Sequence, residues 1–225
     1  MISLNIVFFD LWSTLLDEKP NSPFYSAIAE RIGVDLLSFM VKYKPCGEDV
    51  MKGIIPNISS RVYLVCQKLD VDLSLSSVKA LVDELVPLHV ENVFLYSDTI
   101  EVLSELSNHG FKLGMISNAS SWSEMVLDAF GLRPYFDSIV LSYKYGMVKP
   151  MPGLYLRALR EIGGESKDGY FVGDGGDNEM EGAKQVGFTT VLVDHCKRSV
   201  ESDFKVDTLT DAMHIIIEGH RVARS

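Results

Sequence analysis

Five short apolar segments alternate with helical patterns along this chain of 225 residues. The segments comprise residues 6–9, 112–116, 138–141, 170–173 and 189–193. Continuous apolar runs of this length are typical of strands that are covered on both faces, as in a parallel sheet. Strands that alternate with helices form βαβ units with right-handed crossovers. The sequence therefore predicts an α/β fold with a doubly wound parallel sheet.

Apolar residues that recur at three- and four-residue spacing predict helices between and after these strands. These patterns lie at residues 100–106, 122–129, 155–162 and 209–216. Ser121 and Glu124 have the spacing of a capping box at the start of the second helix. Core packing accounts for all four stripes, and we assign them no function.

The stretch from residue 17 to residue 92 interrupts the alternation, because it contains no convincing strand. Helical spacing instead appears at residues 62–69 and 78–85. We therefore expect a core formed by residues 1–16 and 93–225 and an inserted helical cap formed by residues 17–92.

The charge balance narrows the classes of partner. Acidic residues number 31 against 21 basic ones, so the formal net charge is −10. Binding to nucleic acid or to an anionic membrane surface depends on basic surface, so we expect neither partner. A small phosphorylated substrate needs only a local positive site and stays possible. The oligomeric state is not predicted.

The N-terminal apolar stretch does not have the pattern of a targeting or membrane segment. It contains Asn5 and Asp10 and has no basic region before it. The three cysteines, Cys46, Cys66 and Cys196, are odd in number and form no CxxC pair. A reducing, cytoplasmic compartment is therefore expected.

Polar side chains follow several of the predicted strands, where ligands of open α/β sheets bind. They are Asp10, Ser117, Asn118, Asp174 and, further along the same loop, Glu179; Lys149 precedes a predicted helix at the same rim. Carboxylates, a hydroxyl and a lysine can hold a hard cation beside an anion, and Mg²⁺ prefers carboxylate and water oxygens. A carboxylate close to that ion can act as a nucleophile towards phosphate.

Four motifs in this order resemble those of the haloacid dehalogenase-like (HAD) hydrolase superfamily. They are FFDLWSTLL at 8–16, ISNAS at 116–120, YGMVKPMPGLY at 145–155 and FVGDGGDNEMEGAKQVG at 171–187. The resemblance implies a Rossmann-like core, and a helical cap between the first two motifs is common in the family.

The resemblance also implies catalytic roles. Asp10 would be the nucleophile, and Thr14 and Ser117 would position and hydrogen-bond the transferring group. Asn118 would support the loop, and Lys149 would neutralise charge on the nucleophile and the phosphoryl group. Of these, Ser117, Asn118 and Lys149 would also contact the substrate.

The implied metal site holds Mg²⁺ through Asp10, the backbone carbonyl of Trp12, Asp174 and Glu179. Asp177 is the alternative to Glu179 if the register of the loop differs. Phosphatases of the family usually carry a second aspartate where this chain has Trp12, and that aspartate protonates the leaving oxygen. Trp12 cannot titrate, although its side chain could contact the substrate.

Trp12 leaves three interpretations open. Dehalogenases of the family carry an aromatic residue at this position, but they do not use magnesium, and residues 33–60 contain no arginine for their carboxylate site. A non-catalytic binding or regulatory protein is the other alternative. Because Asp174 and Glu179 are present, we favour a magnesium-dependent phosphatase of a small phosphorylated metabolite. Lys42, Lys44 and Arg61 could contact an anionic substrate or simply form a solvated face.

Overall fold

The computed structural model describes residues 5–166, 169–195 and 197–223, so Cys196 lies outside the described residues. Its strands are β1 (Ile6–Phe9), β2 (Leu16–Glu18), β3 (Val93–Leu95), β4 (Lys112–Ser117), β5 (Ser138–Leu141), β6 (Gly169–Gly173), β7 (Thr189–Val193) and β8 (Phe204–Val206). Within this described part, six strands form one sheet in the order β5-β4-β1-β6-β7-β8, and all its neighbours pair in parallel. The predicted Rossmann-like parallel sheet is confirmed.

Helices surround this sheet and fill the segment between β2 and β3. They are α1 (Phe24–Arg31), α2 (Leu36–Tyr43), α3 (Gly47–Met51), α4 (Ile58–Lys68), α5 (Leu75–Glu91), α6 (Thr99–Asn108), α7 (Trp122–Ala129), α8 (Pro152–Ile162), α9 (Glu179–Gln185) and α10 (Leu209–Ala223). In the described chain, α6 and α10 pack together against one face of the sheet, whereas α8 and α9 cover the other.

Alternating side chains of β1 supply both layers of the core. Val7 and Phe9 join the cluster under α6 and α10, whereas Ile6 and Phe8 join the cluster under α8 and α9. All four side chains are fully buried, which agrees with the continuous apolar run. Because the side chains of a strand point alternately to its two faces, such a strand needs apolar residues at every position.

The helices α1, α2, α4 and α5 enclose a third hydrophobic cluster that lies outside the sheet layers. Phe24, Phe39, Val62 and Val82 are among its buried members. The antiparallel strands β2 and β3 join this helical region to the sheet. We did not predict these strands, because three residues are too few to produce a readable periodicity. The division of the chain at residues 16/17 and 92/93 stays a prediction.

The edge strand β8 was also not predicted. Phe204 and Lys205 are exposed there, so the strand lacks the buried apolar run that marks the others. Among the described residues, no helix is both long enough and apolar enough to cross a membrane.

The capping box proposed for α7 is wrong. The side chain of Ser121 makes no capping hydrogen bond. The Glu124 carboxylate instead contacts Arg133 at 2.6 Å, Lys144 at 2.5 Å and the Tyr143 hydroxyl. Two cations stabilise a carboxylate more than a single backbone N–H does. Burial alone would raise the pKa of Glu124, but these contacts lower it to about 2.

We predict that Glu124→Gln destabilises the protein at neutral pH. A carboxyl group whose pKa is lowered on folding contributes stability above its unfolded pKa, and that contribution is lost as the pH falls. Since the group is partly exposed, we expect the variant's free energy of unfolding to be about 1 kcal/mol below that of the wild type at pH 7. This difference should become smaller as the pH falls from about 4.5 towards 2. Urea unfolding from pH 7 to pH 3.5 measures it, with the exposed Glu101→Gln as control. A loss that is independent of pH would contradict this account.

Candidate active site

Strand register brings the ends of β1, β4 and β6 together. Phe9 pairs with Met115 on one side and with Val172 on the other. Asp10 therefore lies between the ends of β4 and β6, and its backbone N–H donates to the Val172 carbonyl at 2.9 Å. The carboxyl edge of the sheet thus collects Asp10, Ser117 and Asp174.

Lys149 connects two carboxylates at this edge. Its Nζ lies 2.6 Å from Asp10 Oδ1 and 2.5 Å from Glu179 Oε2. All three residues are buried, with exposed fractions of 4%, 5% and 0% for Lys149, Asp10 and Glu179. The ammonium group therefore pairs with two carboxylates that are largely removed from solvent.

Burial dominates the protonation behaviour of this cluster. It raises the pKa of Asp10 and raises that of Glu179 to about 8, while the neighbouring Lys149 opposes both shifts. Burial alone would lower the pKa of Lys149, but the charges of Asp10 and Glu179 outweigh it and raise that pKa. A further positive charge near the carboxylates would favour their ionised forms.

The loop after β6 folds back so that Glu179 reaches the strand end. The Gly175 N–H donates to Glu179 Oε1 at 2.9 Å, and a Cβ at Gly173 would collide with this carboxylate. Asp177 and Asn178 both have left-handed backbone conformations, with φ of 52° and 54°. Only the absence of a side chain at Gly173 allows this packing.

Three carboxylates of the described residues form a candidate metal site. One oxygen from each of Asp10, Asp174 and Glu179 lies within 4.8 Å of the others, and all three residues are buried. Lys149 and Arg198 are the cations paired with them, and Arg198 lies 2.9 Å from Asp174. Three carboxylates meet two cations, and an oxygen-only donor set of this kind fits a hard divalent cation.

Asp177, the alternative metal ligand, lies apart from this cluster. It is exposed, and its Oδ2 accepts a hydrogen bond of 2.7 Å from Asn118 Nδ2. Asn118 also accepts from the Lys149 N–H at 2.7 Å, so it links the loops that carry Lys149 and Asp177. The geometry therefore favours Glu179 over Asp177 as the second acidic ligand of the loop.

The two predicted hydroxyl groups are buried and lack partners. Thr14 Oγ1 and Ser117 Oγ make no hydrogen bond with the residues that the structure describes. A buried hydroxyl without a partner costs about 1–3 kcal/mol. Ser117 ends β4 and Thr14 lies in the turn after β1, although neither lines the cavity over the carboxylates. Their contact with a transferring group stays a prediction.

A cavity of about 150 Å³ opens over the carboxylates. Asp10, Asp174, Glu179, Lys149, Arg198, Asn118, Asp177, Trp12, Ser13 and Gly176 line it. Ser13 has a left-handed backbone with φ of 58°, which turns the chain sharply after Asp10. Trp12 is therefore placed at the wall of this cavity.

A second cavity, of about 280 Å³, lies between the helical region and the sheet. It shares Trp12 and Asn118 with the first cavity, and Arg61, Glu18 and His89 also line it. Lys42 and Lys44 are exposed elsewhere, so Arg61 alone of the three basic residues singled out in the sequence lines a cavity.

Four residues of the carboxylate cluster and the second cavity were not predicted from the sequence: Arg198, Gly173, Glu18 and His89. Arg198 lies beyond the motifs, and no pattern links it to Asp174. Glu18 and His89 are 71 positions apart and meet only through folding. Gly173 was read as the end of a strand, and the repeated glycines of its loop were the available signal.

A parallel α/β sheet thus carries a strand-end aspartate, a buried lysine and an acidic loop at one edge, an arrangement suited to hydrolysis. A family model for haloacid dehalogenase-like hydrolases matches residues 4–187. The chain therefore belongs to this family and is an enzyme.

Known relatives agree with this assignment. Glyceraldehyde 3-phosphate phosphatase of Methanopyrus kandleri is 28% identical over 55% of this chain and 57% of its own length, so the match spans little more than half of that relative. Ribulose-1,5-bisphosphate 5-phosphatase of Halopiger xanaduensis is 27% identical. That match spans 93% of this chain and 94% of the relative's length.

The fold is also shared with 2-haloacid dehalogenase from Pseudomonas syringae pv. Tomato DC3000. The comparison with that structure gives a TM-score of 0.72 at 21% identity. The matched region spans 96% of this chain and 99% of the dehalogenase chain. At this level of identity the likeness describes the fold alone.

We predict that Mg²⁺ stabilises the protein through Asp174 and Glu179. A ligand that binds only the folded state adds about 2.7 kcal/mol at 100 times its Kd. The Asp174→Asn and Glu179→Gln variants should lose most of this effect, whereas Asp177→Asn should keep it. Thermal unfolding with and without Mg²⁺ measures the shift. Loss of the effect in Asp177→Asn, with Glu179→Gln unaffected, would reverse the assignment.

We predict that Lys149→Met lowers the free energy of unfolding by about 3–5 kcal/mol, because removing one partner leaves buried carboxylates without their cation. Lys149→Arg keeps the charge and should lose less. Lys79→Met removes an exposed pair with Asp83 and should cost under about 1 kcal/mol. Urea unfolding compares the three variants. Equal losses for Lys149→Met and Lys79→Met would show that the buried contact contributes nothing.

Proposed function

We propose that this enzyme is a magnesium-dependent phosphatase that acts on a small phosphorylated metabolite through an aspartyl-phosphate intermediate on Asp10. The observation that carries the proposal is the buried contact of Lys149 with Asp10 and Glu179, beside Asp174. This arrangement combines a nucleophile, a fixed cation and an oxygen-rich cation site. The names of both relatives described above are those of phosphatases.

Asp10, Asp174, Glu179 and the Trp12 carbonyl are the groups that would hold Mg²⁺. When bound, Mg²⁺ supplies positive charge that offsets the charge of phosphate oxygens. Lys149 holds Asp10 in place at 2.6 Å and provides a second positive charge for the phosphoryl group. Thr14 and Ser117 would donate hydrogen bonds from hydroxyls that have no partner among the described residues.

The reaction takes two displacements at phosphorus. A carboxylate oxygen of Asp10 forms a bond to phosphorus, and the bond from phosphorus to the leaving oxygen breaks. Water then forms a bond to phosphorus, and the bond between phosphorus and Asp10 breaks. One proton of that water stays on the phosphate that is released, the other passes to solvent, where it balances the anionic leaving oxygen, and the Asp10 carboxylate is regenerated.

Trp12 restricts which esters react well. Its indole cannot give a proton to the leaving oxygen, and general acid catalysis is typically worth 10²–10⁴-fold in rate. The Trp12 Nε1–H is already engaged, since it donates to Ser123 Oγ at 3.2 Å. Esters whose leaving oxygen is stable as an anion, such as aryl phosphates, should therefore be hydrolysed faster than alkyl phosphates.

Dehalogenation of a 2-haloacid is the second candidate, because Arg61 lines the cavity beside Trp12. Two of its donors are already engaged, however, since Nε and Nη2 donate to the Tyr43 carbonyl at 3.1 and 2.8 Å. The buried carboxylates Asp174 and Glu179 belong to a candidate cation site that a metal-independent reaction would not need. We therefore place dehalogenation second.

The proposal predicts phosphate release from phenyl phosphate that requires Mg²⁺. Chelation should abolish turnover, and so should Asp10→Asn, whereas the exposed Asp72→Asn should behave like the wild type. Phosphate release and halide release from 2-chloropropionate are measured in parallel, with and without metal. Turnover of the ester without metal would exclude the magnesium mechanism, and metal-independent halide release would establish the dehalogenase.

We predict that Trp12→Asp raises activity on alkyl phosphates. The new carboxyl group can protonate the leaving oxygen, so kcat/KM for an alkyl ester should increase by about 10²-fold or more. Activity on phenyl phosphate should increase much less. Steady-state kinetics on both esters gives the ratio. A variant that is folded but inactive on every ester would favour a non-catalytic role for the chain.

A further inference from the structure

The cavity between the helical region and the sheet has aromatic walls and one acid–imidazole pair. Trp12, Trp122, Tyr25 and Tyr43 contribute rings to its lining. Apolar side chains complete the wall at Val50, Met51 and Ile58. An apolar cavity of about 150 Å³ can hold benzene, so a volume of about 280 Å³ has room for one substituted ring.

Glu18 and His89 are the acid–imidazole pair. Glu18 ends β2, and His89 lies in the last turns of α5. Glu18 Oε1 lies 3.5 Å from His89 Nδ1, which is too long for a good hydrogen bond. His89 is only 5% exposed, so a polar group of the cavity wall is buried here.

One polar atom of each residue has no hydrogen-bond partner in the described chain. Glu18 Oε1 and His89 Nδ1 are both buried and unpaired. The imidazole is enclosed by rings, with Trp122 at 4.7 Å, Phe24 at 5.1 Å and Trp12 at 6.4 Å between centroids. Buried polar groups in folded proteins nearly always have partners, so an unpaired pair at a cavity wall indicates a polar ligand group.

The chemistry of the pair selects a hydroxyl group. Burial alone would raise the pKa of Glu18, but the neighbouring His89 and Ser22 lower it, so Glu18 is a carboxylate that only accepts hydrogen bonds. His89 accepts through one nitrogen when neutral and donates through both when protonated. A hydroxyl donates and accepts at once, so it can donate to Glu18 Oε1 while it accepts from His89 Nδ1 when that nitrogen carries a proton.

The aromatic walls determine what carries that hydroxyl. A planar ring packs against aromatic side chains with a gain of about 0.5–1.5 kcal/mol beyond the area that it buries. Arg61 covers the Tyr43 ring at 3.6 Å, so that part of the wall is fixed rather than collapsible. Trp12 and Asn118 line both this cavity and the one over Asp10, so the two cavities are adjacent.

We propose that Glu18 and His89 recognise a hydroxyl group on an aromatic leaving group, so that the preferred substrate is a hydroxyaryl phosphate. This inference rests on the proposed phosphatase function, since it assigns the substrate class of that same site. Glu18 and His89 determine specificity here and take no part in the transfer of the phosphoryl group.

A kinetic comparison tests the specificity. The substrates are phenyl phosphate, the 3- and 4-hydroxyphenyl phosphates and their methyl ethers, whose leaving groups have similar acidity. At least one hydroxyl ester should have kcat/KM roughly tenfold or more above that of its methyl ether, since a hydrogen bond to a charged group is worth about 1.5–3 kcal/mol. Glu18→Gln and His89→Phe should reduce this ratio to near one.

Matched controls separate this effect from a general loss of structure. Glu101→Gln and His214→Phe make the same changes at exposed positions and should keep the wild-type ratio. The ratio of hydroxyl ester to methyl ether is the readout, so a change in absolute rate does not affect the conclusion. A wild-type ratio near one for both isomers, or a ratio unchanged in both cavity variants, would overturn the proposal.

A binding measurement makes the test independent of catalysis. The only two tryptophans of the chain, Trp12 and Trp122, both line this cavity, so their two indole N–H signals in a nitrogen–proton spectrum report its occupancy. Resorcinol or hydroquinone should shift these signals at concentrations roughly tenfold below those needed with phenol. Glu18→Gln should remove that advantage.

The two measurements distinguish the possible failures. Selective binding of the dihydroxybenzenes without hydrolysis of any ester would contradict the phosphatase function and keep the hydroxyl site. Hydrolysis of phenyl phosphate without any preference for hydroxylated rings, in rate or in binding, would keep the phosphatase function and overturn the hydroxyl site.

Discussion

The contact of Lys149 with Asp10 and Glu179 is the interaction on which this site depends. Three parallel strands end at one edge of the sheet, and two of them are followed by buried carboxylates. Such groups repel each other strongly where water is excluded. The ammonium group, 2.6 Å from Asp10 and 2.5 Å from Glu179, makes this crowding compatible with a folded core. Burial raises the pKa of Asp10, and the contact with Lys149 opposes that shift, so it favours the ionised form that the proposed nucleophile needs.

The parallel sheet and the meeting of Asp10 with Asp174 could be predicted from the sequence. Runs such as residues 6–9 and 170–173 are apolar at every position, and that pattern has few solutions other than a strand covered on both faces. Parallel pairing then places the residues that follow the strands at a common edge. The prediction therefore depended on backbone geometry, which varies little among sheets of this type.

The choice between Asp177 and Glu179 could not be made from spacing. Both lie within one turn of the same loop, and the decision depends on backbone conformations at Asp177 and Asn178 that few residues adopt. Gly173 also matters, because a residue without a Cβ leaves room for the Glu179 carboxylate. The helical region was harder still, because helical periodicity indicates which residues are buried but not which helices they meet. The approach of Glu18 to His89 is a result of that packing alone.

Trp12 links the reaction to the substrate. Two positions after Asp10, where phosphatases of the family usually carry a proton donor, this chain has a tryptophan that cannot supply a proton. The same indole lines both cavities. An ester that needs no proton on its leaving oxygen is commonly one whose leaving oxygen is attached to a ring. A ring is also what an indole, a second tryptophan and two tyrosines pack against well. Under the proposed function, Trp12 would therefore disfavour alkyl esters in catalysis and favour aryl esters in binding, so that one residue would account for both preferences.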